Sequence, residues 1–173
     1  LGLVGLRVTP KAIENTWRSI DKIPNLKRLG LVGSLGLEII NSEIFCTLCG
    51  VLQRKSASLL ALKIDMSIDI GYDAYQELCK ALGNMLSRLQ RLELKFVSAQ
   101  SMDEKGLALF GDLFGNGSSS LRILDLQLVT HHNRKTKVAQ DFVAKIRKSS
   151  FPMMKKSSIQ FHKPEGTEEL YEL

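Results

Sequence analysis

Long uncharged apolar runs are missing from this 173-residue chain: no stretch of 18 apolar residues occurs, so no helical membrane span is expected. Cysteine is scarce. Cys46, Cys49 and Cys79 are the three present, an odd number that fits a reducing compartment better than a disulfide framework and predicts free thiols in a cytosolic or nuclear setting, of which the cytoplasm is the one expected. Also absent are the phosphate loop G-x-x-x-x-G-K-[ST], a nucleophile elbow around Ser or Cys, and a carboxylate pair distinct from ordinary surface charge. Without them no residue is assigned a catalytic role, no enzyme activity is expected, and no cofactor is called for. The C-x-x-C of Cys46 and Cys49 has no second pair to complete a zinc site. It falls mid-way along a helical pattern, where i and i+3 share a face, so core packing is the reading. His131, His132 and His162 lie in polar stretches and read as solvated loops rather than metal ligands. Gly30, Gly33 and Gly36 do not follow G-x-G-x-x-G spacing and are read as turn residues after a strand.

What the chain does have is leucine, and 44% hydrophobic residues overall, enough for the core of one domain spanning residues 1–173. Leucine returns in one phrase, L-x-x-L-x-L: Leu26, Leu29, Leu31; Leu59, Leu62, Ile64; Leu89, Leu92, Leu94; Leu121, Leu124, Leu126. The middle positions are 33, 30 and 32 residues apart, a near-constant period. Leu1-Gly2-Leu3-Val4-Gly5 repeats Leu29-Gly30-Leu31-Val32-Gly33 and reads as a copy cut short, so further repeats and domains are expected before Leu1. Ile159 and Phe161, with Ile159 in the middle position, read as a degraded last copy.

Between the phrases the apolar spacing is helical, as in Tyr72, Tyr75, Leu78, Cys79, Leu82 and Leu86, or Val138, Phe142 and Ile146. Thr9-Pro10, Asn41-Ser42-Glu43 and Ser101-Met102-Asp103-Glu104 supply helix starts, and Gly115-Asn116-Gly117-Ser118 a stop. One strand and one helix cannot bury the leucines of a single unit. Units must therefore stack and share a core, which predicts an α/β solenoid with a parallel sheet on its concave face and helices on its convex face.

A strand phrase L-x-x-L-x-L followed by an amphipathic helix resembles the leucine-rich repeat family over nearly the whole chain, about five and a half repeats, and most of all its ribonuclease-inhibitor-like subgroup. The family's Asn or Cys after the last Leu is replaced by Ser34, Ser67, Val97 and Val129, so turn backbone groups must find other partners. Phrases such as Ile23-Pro24-Asn25-Leu26-Lys27-Arg28-Leu29 and Glu77-Leu78-Cys79-Lys80-Ala81-Leu82-Gly83-Asn84-Met85 resemble the carboxy-terminal repeats of plant-type intracellular nucleotide-binding immune receptors. That resemblance implies effector sensing, and self-inhibition by contact with upstream domains of the same chain.

Partner-binding residues are expected on the concave face, at Lys27, Arg28, Lys63, Asp65, Arg91, Glu93, Lys95, Arg122, Asp125 and Gln127. Lys63 should face Glu93, and Glu93 should face Asp125, one pair attractive and the next repulsive, with relief from Arg91 and Arg122. Met66, Phe96 and Leu128, just past the strands, are the expected apolar anchors. A basic segment, residues 131–156, sets Arg134, Lys135, Lys137, Lys145, Arg147, Lys148, Lys155 and Lys156 against Asp141, a local charge of +7 within a chain total of +6. Protein is the expected partner, with no membrane contact. A scaffold subunit docked through this basic end, for example on nucleic acid, is the alternative, but the aromatic residues needed for base stacking are sparse there.

Overall fold

Side chains alternate across a strand, so the last two leucines of each phrase fall on one side and the residues between them on the other. The computed structural model describes residues 2–4, 10–33, 42–66, 71–96, 104–115, 120–129, 137–148, 154, 156–162 and 168–172. Its strands are β1 (Gly2–Val4), β2 (Arg28–Gly33), β3 (Ala61–Met66), β4 (Arg91–Phe96), β5 (Ile123–Val129), β6 (Lys156–His162) and β7 (Glu168–Glu172). Its helices are α1 (Pro10–Asp21), α2 (Ser42–Lys55), α3 (Tyr72–Gly83), α4 (Glu104–Gly115) and α5 (Lys137–Lys148). Strands follow one another in chain order across a single sheet, and β1 to β6 all pair in parallel. Parallel neighbours need a crossover, and each crossover holds one helix. Successive helices pack against each other and cover one face of the sheet, and no described helix covers the other.

The leucine register is the one the phrase predicts. Leu29, Leu62, Leu92 and Leu124 are aligned across β2 to β5, as are Leu31, Ile64, Leu94 and Leu126, and all eight are buried. Gly2 pairs with Gly30 and Leu3 with Leu31, so the truncated first copy takes its expected place. Helix residues Phe45, Leu48, Leu78, Leu82, Phe110 and Phe142 join the strand leucines in one core cluster. Within it Phe45, Phe96, Tyr75 and Phe110 meet edge to face in sequence, with ring centroids 6.4, 6.2 and 6.1 Å apart.

Side-chain and main-chain bonds tie the connection that leads into each phrase to the preceding unit. Ser58, Arg88 and Ser120 each stand directly before the first leucine of a phrase. Each donates to a main-chain carbonyl of the preceding unit: Ser58 Oγ to Leu26 at 3.0 Å, Arg88 Nη1 to Ala57 at 3.1 Å, Ser120 Oγ to Ser87 at 2.6 Å. Beside them the Lys27 carbonyl accepts from the Leu60 and Ala61 N–H groups, and the Gln90 carbonyl from those of Arg122 and Ile123. The end of α1 is tied to α2, where Arg54 grips Asp21 at 2.9 Å and Lys55 Nζ donates to the carbonyls of Asp21 and Ile23.

Several expectations need correction. Ile159 pairs with Leu126 rather than Leu124, so the last copy is shifted by two residues; an even shift keeps every side chain on its face. β7 was not anticipated. It runs antiparallel to β6 at the sheet edge, with Tyr171 opposite Ile159. Gly30 and Gly33 sit inside β2, not in a turn. Tyr72, counted in an apolar stripe, opens α3 and is 37% exposed. Thr9, Asn41, Ser101, Ser34, Ser67, Val97, Gly36, His131 and His132 lie outside the described residues.

Candidate functional site

Three rows of side-chain positions cross the open face of the sheet, each fixed by strand register. The first is Arg28, Ala61, Arg91 and Ile123; the second Gly30, Lys63, Glu93, Asp125 and Ser158; the third Val32, Asp65, Lys95, Gln127 and Gln160. Most of the expected contact residues therefore stand together. Lys27 precedes β2 and is exposed beside it. Arg122 is displaced from its expected place: β5 opens at Ile123, which holds the position beside Arg91, and Arg122 is exposed one residue outside the strand.

Glu93 is the centre of the charge pattern. Its side chain is only 13% exposed, and it takes Lys63 Nζ at 3.1 Å on one oxygen and Arg91 on the other. Burial alone would raise its pKa, but the hydrogen bonds from Arg91 and Lys63 outweigh it and hold the carboxyl below the usual glutamate range. The neighbouring Asp125, opposite Glu93 as expected, is relieved by a donor the sequence reading missed: Ser158 Oγ, at 2.7 Å. Aligning the last copy on Leu126 would have put Ser158 beside Asp125. In the third row Lys95 and Asp65 form a looser pair at 3.9 Å. A gap of only about 30 Å³ remains among these central side chains, so the middle of the face is nearly flat.

Toward the strand starts the face drops into a hollow of about 480 Å³ over Gly30 and Ala61, walled by Arg28, Lys63, Arg91 and Arg122.

Two of the three expected apolar anchors are not surface features. Phe96 is 2% exposed and Leu128 fully buried, because β4 and β5 run on through both positions and give them the parity of the core leucines. The side chain of Met66 lies outside the described set. In the basic segment, Lys137 and Lys148 are exposed at the two ends of α5, and Lys145 pairs with Asp112 at 2.5 Å. Lys145, Arg147 and Lys148 in the last turn of α5 suit the negative end of the helix dipole. Arg134, Lys135, Lys155 and the side chains of Lys156 and His162 lie outside the described set.

The thiols sit on α2 and α3 as packing residues, with Cys49 buried in the core and Cys46 and Cys79 partly so. Burial pushes all three pKa values up, that of Cys79 to about 12, and Glu77 and Asp73 add to the rise at Cys46. Thiols so raised stay protonated at neutral pH and are poor nucleophiles. No group of three or more potential metal ligands gathers among the described residues, and no described helix is long and apolar enough to cross a membrane. Comparison with known protein-family models gives no match, and comparison with curated proteins gives no significant one.

Proposed function

We propose that this chain is a leucine-rich repeat solenoid that recognises a protein partner through the open face of its sheet and carries out no catalysis itself. The observation that supports this most is the set of charged rows on that face. Lys63, Glu93, Arg91, Lys95 and Asp65 are held in register by a rigid sheet and by one another, a preorganised polar surface suited to reading charge on a partner. The resemblance to plant-type intracellular immune receptors supplies the proposed context, with sensing and self-inhibition both served by this face in the cytoplasm. The test is a photo-crosslinking amino acid placed at Lys95 or Gln127, with Gln140 on the exposed side of α5 as control. In extracts of cells that make the protein, discrete protein adducts are expected from the first two positions only. Equal adducts from Gln140, or none from the sheet positions, would overturn the proposal.

A further inference from the structure

We infer that the hollow over Gly30 and Ala61 seats an aromatic side chain of a partner protein, tryptophan or tyrosine, laid against the guanidinium of Arg91; this rests on the open sheet face being the recognition surface. The lining is the first argument. Leu60, Ala61 and Ile123 line the hollow and each keeps part of its surface exposed, apolar ground beside rows that are mostly polar. Ala61 and Ile123 stand on either side of Arg91 in one row, about 10 Å apart across two strand spacings. A ring set down on them takes apolar surface of both partners out of water. At about 480 Å³ the hollow has room for an indole or a phenol.

Arg91 is the second argument. Its Nε and Nη2 both reach Oε1 of Glu93, while Lys63 Nζ holds Oε2 at 3.1 Å. Hydrogen bonds of a guanidinium lie in its plane, so these fix the group without using its faces, and the Arg91 side chain stays 55% exposed. An aromatic ring stacks on such a face and breaks none of the bonds. A partner carboxylate would instead have to compete with Glu93 for the same nitrogens. A nucleobase stacks as well, but its polar edge would meet Leu60 and Ile123 and lose water without a replacement bond.

The probes are N-acetyl-tryptophanamide, N-acetyl-leucinamide, sodium glutamate and adenosine monophosphate, each titrated into methyl-labelled protein and followed by NMR at the Leu60 and Ile123 methyl groups. Saturable shifts with the tryptophan amide are expected, at an affinity at least about threefold above that of the leucine amide. Arg91→Lys keeps the charge beside Glu93 but removes the planar face; it should bring the tryptophan amide down to the leucine level and leave the leucine amide unchanged. Ala61→Trp should abolish the shifts by setting an indole of its own in the hollow, with circular dichroism confirming that both variants fold. Lys148→Glu, at the end of α5, should leave affinity within about twofold. No saturable shift, equal affinity of the two amides, full retention in Arg91→Lys, or tighter binding of glutamate or the nucleotide would each overturn the inference. Protein adducts at Lys95 and Gln127 without tryptophan binding would sink this site while leaving the wider face standing; loss of both would remove the recognition surface itself.

Discussion

Leu92 and Leu124 are fully buried in the aligned leucine row, each covered by neighbouring strands and by the helices above. Truncating either to alanine removes buried methyl groups and leaves a cavity, with an expected loss of about 2–5 kcal/mol in urea unfolding. A loss under about 1 kcal/mol would place them outside the core. At Glu93 the prediction concerns pH. Its folded pKa is lowered, so its contribution is present above the unfolded value and fades as pH falls through the folded one. Wild type should therefore exceed Glu93→Gln in stability at pH 7, and the gap should close toward pH 3, both read from urea midpoints. A gap that persists in acid would contradict the assignment of Lys63 and Arg91 as its partners.

Residue parity explains what the sequence made legible and what it hid. The pairing of Lys63 with Glu93 and of Glu93 with Asp125 could be read off because the leucines beside them fix both face and register. Phe96 and Leu128 were misplaced for want of strand length: once the strands extend to them, the same alternation buries them. Their neighbours in sequence, Lys95 and Gln127, keep the open face.

For the individual elements, the hidden part is the way turns are held. No single residue type marks the position before each phrase, where Ser58, Arg88 and Ser120 do the same job with different side chains, so no sequence pattern announces these bonds. Ser58→Ala and Ser120→Ala should each cost about 0.5–1.5 kcal/mol by removing a hydrogen bond to the preceding unit. Because the two sites lie in different units, their costs should add in the double variant, as read by thermal and urea unfolding. A double variant as stable as wild type would show that these bonds only decorate the turns. β7 was invisible for a related reason. Its residues, Glu168 to Glu172, carry no leucine phrase, and its antiparallel pairing with β6 follows no repeat spacing.

Across the whole molecule, stability rises from neighbour contacts repeated along the chain, and the proposed recognition rests on the sheet face that no described helix covers. β7, bonded on one side only, should exchange its amide hydrogens faster than β3 and β4, which are bonded on both. The division between buried and open faces is what every functional proposal depends on, and thiol labelling of the native protein tests it most directly. Cysteines introduced singly at Lys63, Lys95 and Gln127, and at Leu62, Leu94 and Leu126, are read peptide by peptide to keep them apart from the native thiols. Rapid labelling at the first three, with labelling at the leucine positions only at the rate of unfolding, is the predicted result. Comparable rates in both sets would contradict a sheet with one covered face and one open face.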